Sequence, residues 1–345
     1  MVRAVSAIHD PASALPAAAS DHDVLSDVLR SVRLTGSMLF LVDAGAPFLS
    51  WAPRADSIRR VTLPAAQHLI SYHIVTQGSC WGGLKGQAPH LLTPGDVLVV
   101  PHGDAYYLAD PPDAAASYGD DEAMAFFRAM AAGALPSTIS QGSDAAARTQ
   151  FVCGFLGCDQ QPFNPVLAAL PPLLVLKAAS GSVDRMRHLT DFALGELRQR
   201  SSGSRDVLLR LSELMFVEVV RQHLQSLTAA QNGWLAGLND ALVGRCLALL
   251  HGAPERPWTL TSLAAQAGAS RSVVAERFAR FVGQPPMQYL THWRLQLATR
   301  LLDQPGSKVV AVAAAVGYAS EAAFSRAFKK FTGVSPARWR RCVAG

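Results

Sequence analysis

The C-terminal third of the chain carries one pattern twice. Residues 259–289 read TLTSLAAQAGASRSVVAERFARFVGQPPMQY and residues 308–339 read KVVAVAAAVGYASEAAFSRAFKKFTGVSPARW. At an offset of 50, Ser270 falls on Ser320, Phe278 on Phe328, Phe281 on Phe331, Gly283 on Gly333, Pro286 on Pro336 and Tyr289 on Trp339. Gly268 pairs with Gly317 at an offset of 49, one residue having been added at Tyr318 or Ala319. Each copy is an Ala-rich apolar helix, a Gly turn, a Ser cap, an amphipathic helix and a Gly-x-x-Pro stop. That is the outline of a helix-turn-helix unit.

The caps follow from local chemistry. Gly268 ends the first support helix because Gly adopts positive φ at little cost. Ser270 and Ser320 each offer a side-chain oxygen to the orphan amides of the next helix. In the first second-helix, Val274, Phe278 and Phe281 share a face and are expected in the core. Ser272, Ala275, Glu276 and Ala279 lie opposite, bordered by Arg271, Arg277 and Arg280. In the other copy Phe324, Phe328 and Phe331 form the core stripe, leaving Glu321, Ala322, Ser325, Arg326 and Lys329 outside. Arg is the side chain best matched to guanine O6 and N7, which makes Arg326 the leading candidate for base readout. Lys329, Lys330, Arg271 and Arg280 suit phosphates, which carry affinity and not sequence. Residues 287–306 fit one long helix joining the units, a rigid connector that would fix the spacing of the two recognition helices. If these enter successive major grooves on one face, their separation is near one DNA turn, about 34 Å.

Charge agrees with this division. From Arg256 onward there are 13 Lys and Arg against 3 Asp and Glu, whereas the preceding residues hold 18 against 23. A basic segment on an acidic body is the split expected when one domain meets double-stranded DNA and the other does not. Five scattered cysteines do not make a disulfide framework and suit a reducing, cytoplasmic setting. Neither a signal peptide nor an apolar run of about 18 residues is apparent, so no membrane partner is expected.

Ahead of the repeats, residues 1–20 read as a disordered tail and 23–34 as a short amphipathic helix. From Ser37 to about Tyr107 short β-rich runs, SIRRVTLP among them, alternate with Gly, Pro and Asp, which reads as a sandwich or small barrel. Residues 111–145 read as an insertion holding one helix, and 151–159 as a returning strand. Two helices over 184–200 and 205–228 follow, the second apolar around much of its circumference. It reads as a core helix that also offers a dimer seam. Residues 229–237 read as a linker. The expected fold class is α+β in two domains. A barrel over 21–180 and a helical pair over 181–228 precede an all-α DNA-binding domain over 238–345, which holds two helix-turn-helix units on one long helix.

On these residues the chain resembles the AraC/XylS family of bacterial transcription regulators, above all through GYASEAAFSRAFKKFTGVSPARWR at 317–340. The run from Gly95 through Pro101-His102-Gly103 resembles the second signature of the cupin barrel, and the N-terminal 255 residues are loosely similar to the cupin-type sensor of some of these regulators. The resemblance implies that Ser272, Ala275, Glu276, Ala322, Ala323 and Arg326 approach bases. Most of these are small or acidic, so the target sequence does not carry over. RNA polymerase and a second copy of the chain, joined through 205–228 or the barrel, are the candidate protein partners.

Three readings compete for the barrel. His73 and His102, with His68, are the candidate metal ligands, but there is no His-x-His pair and Tyr106 stands where the last His belongs, so the expectation is no metal and no cofactor. Cys153 and Cys158 are candidates for oxidant sensing, but they lack a basic neighbour and point to opposite faces of a strand. The favoured reading is a small-molecule effector site formed by Tyr72, His73, Trp81, His102 and Tyr106. Enzyme chemistry is the rival class. The missing ligand histidines, and the lack of a Gly-x-Ser-x-Gly, P-loop or His-Glu-x-x-His motif, argue against it and leave no catalytic residue to nominate.

Overall fold

The computed structural model describes residues 22–31, 34–113, 119–144, 147–159, 163–178, 185–199, 201–228 and 231–343. The tail expected over 1–20 lies outside them. In chain order come α1 (Val24–Ser31), β1 (Leu34–Gly45), β2 (Phe48–Ala52), α2 (Ala55–Thr62), β3 (His68–Gln77), β4 (Cys80–Leu84), β5 (His90–Leu92), β6 (Val97–Val100), β7 (Tyr106–Asp110), α3 (Asp120–Ala131), β8 (Thr138–Gly142), β9 (Arg148–Cys158), α4 (Pro165–Ala169), β10 (Leu174–Leu176), α5 (Arg185–Gln199) and α6 (Ser204–Ser226). The strands form a six-stranded sheet, β10-β6-β3-β9-β1-β8, facing a four-stranded sheet, β2-β7-β4-β5.

Strand alternation sorts the side chains of the large sheet. On β3, Leu69, His73 and Val75 point between the sheets, while Ile70, Tyr72 and Ile74 point outward. On β9, Phe151, Cys153 and Phe155 go inward, and Leu156 and Cys158 outward. Both faces are apolar because the outer one is covered by α4, α5 and α6. Gly154 is fixed by this packing. It sits opposite Tyr72 on the neighbouring strand, and a Cβ there would lie 2.0 Å from the Tyr72 ring.

Several segments differ from their sequence reading. SIRRVTLP falls mostly in α2, whose buried Ala55 and Ile58 give it an apolar side. The segment read as an insertion supplies α3 and also β8, which runs parallel to β1 at the sheet edge. Leu174–Leu176 pair with β6, so the apolar run after α4 extends the sheet. Residues read as linker form much of α7 (Trp234–Asn239), with Trp234 and Leu235 buried.

The C-terminal helices are α8 (Ala241–Gly252), α9 (Leu260–Ala267), α10 (Arg271–Val282), α11 (Pro286–Leu302), α12 (Val309–Ala315), α13 (Glu321–Thr332) and α14 (Pro336–Val343). They are built on two cores. The first joins Val274, Phe278 and Phe281 to Tyr289, Leu290 and Trp293 and runs on without a break into α1, α6 and the outer face of the large sheet. The second contains Leu295, Ala298, Leu302, Val312, Phe324 and Phe328 and stands apart from it. Helix α11 belongs to both.

Candidate nucleic-acid interface and barrel cavity

The two repeats fold as matching units. Gly268 ends α9 at φ 75° and Ser270 caps α10 by accepting from the Val273 amide. Ser320 caps α13 by accepting from the Ala323 amide, 3.2 Å away. Arg271, Ser272, Glu276 and Arg280 are exposed on α10, and Ala275 is half-buried. Arg280 lies over the Phe281 ring, and Arg277 is held by Asp240 at 2.7 Å. On α13, Glu321, Ala322, Arg326, Lys329 and Lys330 are exposed, with Ala323 and Ser325 half-buried. Arg326, Lys329 and Lys330 form no ion pair with another described residue. The first unit therefore presents small and acidic groups at its centre, and the second presents unpaired cations.

The second site is a cavity of about 250 Å³ between the sheets. Four phenylalanines stand in its walls, Phe40 and Phe155 from the large sheet and Phe126 and Phe127 from α3, beside aliphatic Val42, Leu49, Leu108 and Ile139. Helix α3 closes it from one side, and the Trp51 indole N–H donates to Asp120 at the start of that helix, 2.7 Å away. The polar end is a chain of three side chains. Cys153 Sγ lies 3.1 Å from His73 Nδ1, and His73 Nε2 lies 2.6 Å from the Tyr106 hydroxyl. His73 and Cys153 are opposite each other in the β3–β9 register.

Burial sets the charge of this group. It lowers the His73 pKa to about 3, so the ring is neutral. It pushes the Tyr106 hydroxyl and the Cys153 thiol well above their ordinary values, and the Cys80 thiol up to about 12. Ser71 Oγ, buried and satisfied by no described partner, stands close enough to Tyr106 to oppose that rise in part. These thiols are the reverse of the exposed, low-pKa cysteines that react readily with oxidants. Cys153 faces the cavity and Cys158 the helical layer.

Of the five residues singled out for an effector, the structure brings only His73 and Tyr106 to the cavity. Tyr72 points out of the barrel and donates to Ser212 of α6 at 3.1 Å. Trp81 lies between the inward-facing Cys80 and Gly82, so strand alternation turns it outward. His102 donates to the Leu170 carbonyl at 2.9 Å, and His68 to that of Pro101 at 2.6 Å. The three histidines weighed as metal ligands thus go to separate partners. Among the described residues no three His, Cys, Asp or Glu side chains are gathered as a metal site would need. Phe40, Phe126, Phe127 and Phe155 are not among the residues that the sequence singled out. The alternation Phe151-x-Cys153-x-Phe155 could have indicated one of the walls, but α3 carries no mark of what it covers.

A buried hydrogen-bond chain joins the barrel side to the first helix-turn-helix unit. The Trp234 indole N–H donates to the Tyr289 hydroxyl at 2.9 Å. Tyr289 in turn lies 2.8 Å from His251 Nε2, and His251 Nδ1 lies 3.3 Å from Asp27 of α1. A neutral His251 protonated at Nδ1 satisfies every link, accepting from Tyr289 and donating to the carboxylate.

No helix among the described residues is long and apolar enough to cross a membrane. The family model described as Cupin matches residues 23–225, and that described as Helix-turn-helix domain matches residues 263–342. An AraC-like transcription regulator of Streptomyces lividans is 31% identical over 320 residues, spanning 92% of this chain and 98% of its own. The HTH-type transcriptional regulator AlkR of Acinetobacter baylyi is 30% identical over 279 residues, 80% of this chain and 89% of its own. Among solved structures, unsaturated fatty acid bound wild-type ToxT from Vibrio cholerae aligns over 89% of this chain and 95% of its own, at 12% identity and a TM-score of 0.31.

Proposed function

We propose, for a chain that belongs to the AraC family of DNA-binding transcription regulators and carries a cupin domain as its N-terminal part, that a small molecule taken up by the barrel cavity controls the DNA-binding units. The observation that carries this reading is the unbroken core running from the outer face of the cavity-bearing sheet into the first helix-turn-helix unit. On β3, His73 lines the cavity while its neighbours Tyr72 and Ile74 belong to that core, so a ligand that shifts the strand shifts both. The chain has no catalytic role of its own in this reading and works in the cytoplasm. The test is transcription from a target promoter by the intact chain and by residues 231–345 alone. Regulation is expected to vanish in the fragment with DNA binding kept, and undiminished regulation would refute the sensor.

On DNA, Arg326 reads a base and Lys329 holds a phosphate. Arg326→Ala is expected to weaken specific binding by about 1–3 kcal/mol and relax one position of the site. Lys329→Ala is expected to weaken all sequences alike and lower the salt slope by about 1. Binding-site selection with each variant separates them, and an unchanged site preference for Arg326→Ala would mean a different register of α13 in the groove.

RNA polymerase and a second copy of the chain complete the partners. The dimer uses the outer face of α5 and α6, where Phe192 is 55% and Leu214 52% exposed. Leu214→Glu is expected to sediment as a monomer; sedimentation like the parent dimer would move the seam elsewhere.

A further inference from the structure

The cavity is specific enough in shape and chemistry to name a class of ligand, an inference that rests on the effector reading above. Its volume of about 250 Å³ sets the size. An apolar cavity of about 150 Å³ holds benzene, which scales to roughly ten non-hydrogen atoms here. The walls set the shape. Phe40 meets Phe126 edge to face at 5.6 Å and Phe127 meets Phe155 likewise at 5.4 Å, so a flat ring entering among them finds both faces and edges to pack on.

The polar end sets the functional group. Two proton arrangements satisfy the Cys153–His73–Tyr106 chain. In one, the thiol donates to Nδ1, Nε2–H donates to the tyrosine oxygen, and the Tyr106 O–H is left to donate into the cavity. In the other, the Tyr106 O–H donates to Nε2 and Nδ1–H donates to sulfur, so the tyrosine oxygen accepts from the cavity. A hydroxyl is served by both; a carbonyl is served by the first alone. Ser71 Oγ stands beside Tyr106 with no partner among the described residues and can share its hydroxyl, whereas Ser50 donates to Gln141 at 2.6 Å and Gln141 donates to the Leu49 carbonyl. Among the described residues no Lys or Arg lines the cavity, and the one carboxylate there, Glu122, accepts from the Gly119 amide. A buried anion would find no counter-charge.

We infer that the barrel cavity binds a neutral single-ring phenol, its ring among the four phenylalanines and its hydroxyl on Tyr106. Neutral His73 and Tyr106 keep the polar end uncharged across the physiological range, which favours an uncharged ligand over a carboxylate.

The test titrates the full chain with 4-ethylphenol, 4-methylbenzoate and ethylbenzene by calorimetry, and follows the effect of each on DNA binding. The phenol is expected to bind about tenfold tighter than either of the others, the margin of one well-made hydrogen bond. Tyr106→Phe should bring it down to the level of ethylbenzene. Ala123→Phe, which fills the cavity from α3, should abolish binding of the phenol. Benzoate binding tightest, yet lost in Ala123→Phe, would overturn the phenol assignment and keep the cavity as the effector site. Phenol bound in the cavity without any change in DNA binding would overturn the effector reading and keep the ligand class. Phenol binding that survives Ala123→Phe, or no binding by any of the three, would overturn both. The ranking is read on the parent chain, so it stands even if a variant fails to fold.

Discussion

Phe328→Ala is expected to unfold the second helix-turn-helix unit while the barrel and the first unit stay folded. Phe328 has no exposed surface and contacts the rings of Phe324 at 5.5 Å and Trp339 at 5.8 Å. Truncating a buried Phe costs about 3–5 kcal/mol through lost transfer energy and the cavity left behind. That loss falls on a core of only eight buried residues, separate from the larger one. A whole domain is stable by about 5–15 kcal/mol, so a unit this small has no reserve to absorb it. Amide exchange should show protection lost across α12 and α13 and kept across α8 to α10, with specific DNA binding gone. Loss of protection everywhere at once would mean that the two cores melt as one.

The second large effect is expected from Tyr289→Phe. The change keeps the ring and removes one oxygen, but that oxygen holds both the Trp234 N–H and His251 Nε2 in a buried site. Each group left without a partner costs about 1–3 kcal/mol, so the variant should unfold at clearly lower denaturant. The same chain gives the parent a pH dependence with a definite sign. Burial holds His251 below its ordinary 6.5, so the folded form binds fewer protons than the unfolded one. Its contribution is complete above about 6.5 and is lost as the pH falls below it. Burial would raise the Asp27 pKa, but hydrogen bonds from His251 and His22 outweigh this and hold it below 3.8. Its contribution is complete above that value and is lost only as the pH falls beneath it. Stability should therefore decline first below about pH 6.5 and again below about 4, and a chain that gains stability on acidification from 7 to 5 would contradict the neutral assignment of His251.

The repeats were legible because their information is local. Caps, turn glycines and the Phe stripe are set by residues three or four apart, and the structure keeps Ser270, Ser320, Gly268 and Phe278 in those roles. The cavity was less so because it depends on pairings between strands. Tyr72 and His73 are adjacent in sequence, and only the packing of α6 on the sheet decides that Tyr72 is on the outside. The pairing of His73 with Cys153 spans 80 residues and follows from a register that no local pattern encodes. For α7, Gly233 and polar neighbours suggested a linker, and the burial of Trp234 against Tyr289 is a tertiary fact.

Helix α11 has 17 residues, about 25 Å of rigid axis, with one end in each core. Helices α10 and α13 are thereby locked in rotational phase as well as in distance. Inserting one residue would turn the far unit by about 100° and advance it by about 1.5 Å. Adding one base pair to the DNA between the contacted segments turns it by about 35° and advances it by about 3.4 Å. The two screws have different pitch, so no single-residue change in α11 can follow a single-base-pair change in the operator. If both helices enter the DNA, the spacing between the two segments is a fixed property of the protein, open to change only by rebuilding the helix that both cores share.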